Sequence, residues 1–162
     1  MTSAELVALL QELYTDKVAM WKRHVDGAQR VSNYDFNNTY QYVIGREEAH
    51  LSWLRKAIEE LGAPVPLDVP ALPVPHGKGA AGERSIAADD ARLAQELVDR
   101  WAPRARAMTN ARHRRMLEVL LGETLEQKRF FDEMVRGRDD LLGRRHANVG
   151  TGGGVLPTRW VE

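Results

Sequence analysis

The sequence predicts an all-α protein, a four-helix bundle made of two helical hairpins joined by a long crossover linker. Three observations predict it. Apolar residues recur at three- and four-residue spacing over long stretches. No β-hairpin signal and few β-branched runs interrupt them. A proline-rich segment divides the chain into two halves of similar make-up. At 162 residues there is room for one domain with a proper core.

The first helix is expected over about residues 3–28, with Ser3 as N-cap. Its stripe is Val7, Leu10, Tyr14, Val18, Trp21, Val25 and Ala28, flanked by Leu6, Leu13 and Met20. The second helix begins at Asn33 or Asp35 and ends at Leu61, with Gly62 as its C-terminal stop. Its stripe is Phe36, Tyr40, Val43, Glu47, His50, Leu54, Ile58 and Leu61, so two ionisable residues sit on an apolar face.

Residues 62–84 hold five of the seven prolines: Pro64, Pro66, Pro70, Pro73 and Pro75. Proline excludes helix here and favours an extended path of about 3.1 Å per residue. Some twenty such residues reach ~60 Å, more than the ~42 Å of a helix of ~28 residues. The segment is therefore expected to run along the outside of the bundle, leaving the second and third helices pointing the same way.

The third helix is expected to start near Ser85, with Asp89 and Asp90 complementing its dipole. Its stripe is Ile86, Asp90, Leu93, Leu97 and Trp101, and Pro103 kinks or ends it. The fourth runs from about Arg112 to Val135 or Arg136 and stops near Gly137. Its stripe is Met116, Val119, Glu123, Glu126, Phe130 and Met134, with Leu120, Gln127 and Phe131 beside it. Residues 1–142 thus form the bundle. Residues 143–162 read as a flexible glycine-rich tail ending in a short apolar segment with Trp160.

Composition narrows the function. Lys plus Arg is 23 and Asp plus Glu is 23, so nothing pulls the chain toward nucleic acid or an anionic membrane surface. The chain has no cysteine, which removes disulfides, iron–sulfur clusters and thiol nucleophiles. No apolar run approaches the ~20 residues of a membrane span, and the acidic N-terminal stretch lacks a basic leader region. A cytoplasmic location is expected.

The polar residues on the apolar faces carry the chemistry. Tyr14 precedes Glu47 by 33 residues, and Asp90 precedes Glu123 by 33. In each half the second helix carries a polar pair at i and i+3, Glu47 with His50 and Glu123 with Glu126. Three residues is nearly one helical turn, so each pair shares the apolar face. Glu47, His50, Asp90, Glu123 and Glu126 would then point inward at similar height. Carboxylates so crowded would force some to stay protonated. A pair of divalent cations removes that problem, and oxygen and imidazole donors suit iron, manganese or zinc.

The stretches Glu47-Glu48-Ala49-His50 and Gly122-Glu123-Thr124-Leu125-Glu126-Gln127, with the crossover, resemble the ferritin-like superfamily, in particular ferritins and rubrerythrins. The resemblance covers about residues 3–137. In that superfamily a Glu from each hairpin's first helix and a Glu-x-x-His from its second build a carboxylate-bridged di-iron centre. The resemblance makes Glu47 and Glu123 bridging ligands and His50 a terminal one, and gives these three the catalytic role. It implies two iron ions reacting with dioxygen or peroxide, in a ferroxidase or peroxidase-type oxidoreductase. It also implies assembly into a homo-oligomer.

The sequence departs from the superfamily pattern at defined positions. Tyr14 stands where a first-helix Glu belongs, Asp90 is shorter than the usual Glu, and Glu126 replaces a second His. The neighbouring Gln127 is similar to the glutamine of the last ferritin helix. A one-metal site, a weaker second site and a vestigial site stand as alternatives. The competing reading is a metal-free bundle with a buried polar network, acting as a scaffold or interaction module. Its tail, through Val155, Leu156, Trp160 and Val161, would dock onto another subunit or protein, or fold back on its own bundle. Trp21, Trp53 and Trp101 read as packing residues. His24, His113 and His146 read as solvated or capping, and Arg112 to Arg115 as an exposed helix face.

Overall fold

The computed structural model describes residues 1–138 and 140–142. The described residues form four helices and no strand: α1 (Ser3–Ala28), α2 (Tyr34–Glu60), α3 (Gly79–Arg106) and α4 (Ala111–Val135). None is long and apolar enough to cross a membrane.

Local chemistry sets the helix starts. Thr2, one residue before the expected cap, opens α1 with a capping box: its hydroxyl accepts the Glu5 N–H while Glu5 accepts the Thr2 N–H. Asn33 and Asn110 cap α2 and α4 by accepting the N–H groups of Phe36 and His113. Helix α3 begins at Gly79, six residues before Ser85. The last proline is Pro75, so nothing beyond it forbids helix. This entry is tight: a Cβ on Gly82 would lie 2.4 Å from the Gly77 carbonyl carbon, so the chain needs glycine there. Pro103 lies inside the last turn of α3 and does not end it.

The helices pair in a consistent sense. On α1 and α2, Tyr14 meets Arg55 and Lys17 meets Glu47. On α1 and α3, Glu12 meets Arg104 and Arg23 meets Asp89. On α2 and α4, Glu60 meets Arg112 and Arg46 meets Glu123. Each of these pairs is antiparallel. Between α2 and α3, linker residues touch α1: the Gln11 side chain donates to the Pro64 carbonyl, and the Lys22 ammonium donates to the Val69 carbonyl.

The core divides into two apolar layers. One gathers Leu10, Leu13, Leu54, Ile58, Trp101 and Leu117 among others. The second, toward the other end, gathers Phe36, Tyr40, Val43, Ile86, Phe131 and Met134. The turn between α1 and α2 is held from α3: Glu83 accepts the N–H groups of Ser32 and Asn33 and the Ser32 hydroxyl. Those bonds outweigh the burial that raises the Glu83 carboxyl, and hold it below the usual range.

Two helices are rotated from their expected stripes. On α1 the buried set is Leu6, Leu9, Leu10, Leu13, Tyr14, Lys17, Met20, Arg23, His24, Gly27 and Ala28, while Val7, Val18, Trp21 and Val25 are only half-buried. On α4 it is His113, Leu117, Leu120, Leu121, Thr124, Gln127, Phe131 and Met134, with Phe130 beside them. Val119 and Glu126 face solvent. The expectation that Glu126 points inward is thereby corrected. Its carboxylate is 51% exposed and takes two hydrogen bonds from Arg129, one turn on. The reading of His24 and His113 as solvated is corrected too: both are buried. Both corrections have one cause. Apolar residues flank each stripe, so a one-residue rotation of about 100° still buries an apolar face.

A buried polar core between the apolar layers

Between the two apolar layers lies a polar layer with a contribution from every helix: Lys17, Arg23 and His24 on α1, Glu47 and His50 on α2, Asp90 on α3, and Thr124 and Gln127 on α4. Of the predicted ligands, Glu47, His50 and Asp90 are fully buried, as their stripes require. Glu123 sits at the rim, its side chain 31% exposed, and Glu126 lies outside the layer. The inward pair on α4 is therefore Thr124 with Gln127, a hydroxyl and an amide at i and i+3. The Thr124 hydroxyl donates to the Leu120 carbonyl.

Each predicted carboxylate is engaged by a basic side chain. The Lys17 ammonium lies 2.6 Å from Glu47 Oε2. Arg23 lies 3.6 Å from Asp90 Oδ1 and donates to Asp89 at 3.1 Å. Arg46 donates to both oxygens of Glu123, at 2.7 and 3.0 Å. His50 Nε2 also meets Glu123 Oε2 at 2.7 Å. Trp53 packs against the His50 ring, and the Arg46 guanidinium lies over Trp53. Partial burial raises the Glu123 carboxyl, but the bonds from Arg46 and His50 outweigh it and hold it below its ordinary value.

His24 sits between two carboxylates. Its Nδ1 is 3.7 Å from Glu47 Oε1 and its Nε2 is 3.6 Å from Asp90 Oδ1. Neither ring nitrogen completes a hydrogen bond. Burial, then the charges of Lys17 and Arg23, push the His24 imidazolium down to about 3. His50 is pushed down to about 4, first by burial and then by Lys17, partly offset by Glu123. The ring is therefore neutral at pH 7: Nε2–H donates to Glu123, leaving Nδ1 as a buried acceptor with no partner. Asp90 is raised to about 7 by burial, against the opposing pull of Arg23 and Tyr40. Burial also raises Glu47, and Lys17 offsets part of that. The Tyr40 hydroxyl donates to Asp90, and burial with that carboxylate raises the phenol well above its usual value.

The donor set does not fit the di-iron centre as arranged. Among the described residues, no three His, Asp or Glu side chains come close enough to hold one metal ion. The formal charges of the layer already balance, Lys17 against Glu47 and Arg23 against Asp90. A divalent ion added there would leave the buried layer with net positive charge, which low-dielectric surroundings oppose. Tyr14 packs in the first apolar layer as a core aromatic and accepts from Arg55 at 3.3 Å.

Sequence reading missed Lys17, Arg23 and His24. The signal was present in the spacing, because Leu10, Leu13, Lys17, Met20 and His24 repeat at three and four residues. His146 and the expected tail lie outside the described residues. Compared with known proteins, the chain matches no family model, no curated protein and no solved structure.

Proposed function

We propose that the chain is a ferritin-like bundle whose site positions have been filled by its own cations, and that it works as a metal-independent helical scaffold. The architecture is supported by the pairings. Helix α1 runs antiparallel to both α2 and α3, which points α2 and α3 the same way. Linker contacts at Gln11 and Lys22, with Val74 in the second apolar layer, trace a path along α1 from one end of the bundle toward the other. That path supports reading the linker as the crossover that the superfamily resemblance implies.

One observation carries the functional reading: the fully buried Lys17–Glu47 pair at 2.6 Å. Glu47 is the residue that the resemblance makes a bridging ligand, and an ammonium group already neutralises it. A buried carboxylate needs a cation, and here the chain supplies one. Arg23 does the same for Asp90, and Arg46 for Glu123.

A second reading rests on the unpartnered donors. His24, His50 Nδ1 and the Glu47 oxygens concentrate imidazole and carboxylate groups in one layer without completed hydrogen bonds. This favours an ion-loaded form in which the Lys17 side chain has moved off Glu47. One experiment decides between the two. Untagged protein is titrated anaerobically with ferrous ion, exposed to oxygen, and its iron, manganese and zinc content measured. The scaffold reading expects no stoichiometric metal and oxidation no faster than in buffer. One or more equivalents of metal, lost in Glu47→Ala, would overturn it.

A further inference from the structure

The outer face of the α1/α2 hairpin carries a groove of about 380 Å³. Its floor is Tyr14, Val18, Trp21 and Leu51, and Glu48 and Arg55 stand at its rim. The rotation of α1 creates it, because the residues that fail to enter the core line this face. The Trp21 ring is half-buried and lines the groove, while its indole N–H is closed to solvent. An extended peptide lying in the groove would cover the exposed part of the ring and the aliphatic floor beside it.

The chain itself holds a segment of matching chemistry. Residues 155–161 read Val-Leu-Pro-Thr-Arg-Trp-Val. Pro157 favours an extended backbone whose carbonyls are free to accept. Trp160, Val155 and Leu156 suit an aromatic and aliphatic floor, and Arg159 complements Glu48.

Reach is sufficient. Leu141 packs on the second apolar layer together with Ile44, so the described chain ends at that end of α2. From Ile44 to Glu48 and Arg55 is about 6 and 17 Å along the helix. The twelve residues from 143 to 154 include Gly150, Gly152, Gly153 and Gly154. A coil of that length has a root-mean-square span of about 20 Å.

We propose that the α1/α2 groove is the seat of the chain's own residues 155–161, with Trp160 on the apolar floor beside Trp21 and Arg159 toward Glu48. Tethering makes the encounter intramolecular, so modest contacts suffice. The inference is independent of whether the polar layer binds metal.

The test uses the full chain, which has no cysteine of its own. In Ser52→Cys/Thr158→Cys, mild oxidation should form an intrachain disulfide at least about tenfold faster than in the control Glu96→Cys/Thr158→Cys. Adding Trp160→Ala should remove that advantage. Equal rates in the two pairs, or an advantage that survives Trp160→Ala, would overturn the proposal. An interchain Ser52–Thr158 disulfide would also overturn it, and would assign the groove to a second copy. Independently of cysteine geometry, the Trp21 indole resonance in a nitrogen–proton spectrum should shift when residues 155–162 are deleted, because the Trp160 ring no longer lies beside it. An indole resonance unchanged by that deletion would reject the proposal whatever the disulfides do.

Discussion

Lys17 places its ammonium nitrogen 2.6 Å from a Glu47 carboxylate oxygen, and both side chains are closed to solvent. The pair joins α1 to α2 at the level where apolar packing gives way to polar groups. Removing either partner leaves an uncompensated buried charge, at a cost of about 3–5 kcal/mol. Lys17→Met and Glu47→Leu should each lose stability on that scale in urea unfolding. The double variant Lys17→Met/Glu47→Leu should recover most of the loss. Strictly additive losses would show that the two side chains do not interact.

Charge reversal at the same position tests the idea of a built-in cation. Lys17→Glu puts a carboxylate beside Glu47 in place of the ammonium that now neutralises it. The variant should be destabilised without metal and regain thermal stability with manganese or zinc. At a hundredfold excess over Kd the gain is about 3 kcal/mol. The native chain should show no such gain. Equal stabilisation of both would mean that Lys17 does not substitute for an ion.

The polar layer sets a pH dependence whose sign can be worked out. His24 titrates near 3 when folded, against about 6.5 unfolded. Between those values only the unfolded chain binds the proton, so stability falls as pH drops through that window. His50, folded value about 4, acts in the same direction. Asp90, raised to about 7, acts in the opposite one. The folded chain keeps a proton there that the unfolded chain loses above about 4, so this contribution declines as pH rises. His24→Gln should therefore flatten the acid limb by close to one proton, roughly 1 kcal/mol per pH unit. Urea midpoints between about pH 4.5 and 6.5 measure it, and a slope unchanged from the native chain would show that His24 is not held neutral.

Glu83 ties the α1/α2 turn to α3 by accepting three hydrogen bonds on one oxygen. Glu83→Ala strands two backbone donors and a hydroxyl, and should cost about 2–3 kcal/mol. Glu83→Gln keeps an acceptor and should cost less. Because the folded carboxyl is held below its usual value, its contribution is present above the unfolded pKa and fades as pH falls through the folded one. Thermal unfolding of the two variants at neutral and acid pH checks both points.

The rotation of α4 separates two neighbouring residues. Glu126→Ala should change stability by no more than about 0.5 kcal/mol, since it removes only an exposed pair with Arg129. Gln127→Glu, one residue on, puts a carboxyl into the buried layer and should cost several times more. Near-equal losses would place α4 in the register that its strongest apolar stripe suggested.

Helix number, type and approximate ends were legible in the sequence, because caps, prolines and a 3.6-residue period are local signals. The stripe of α2 was legible as well. Phe36, Tyr40, Val43, Glu47, His50, Leu54 and Ile58 are all buried as expected, since polar residues bound that stripe closely and leave one orientation. On α1 and α4 the apolar arc is broad enough to admit two orientations a residue apart. The sequence therefore determined that Glu47 and His50 face inward. Only packing against three other helices decided that Lys17 and His24 would meet them there, and that Glu126 would not. Burial energy depends on the summed contacts of a whole helix face, and no single helix contains that sum.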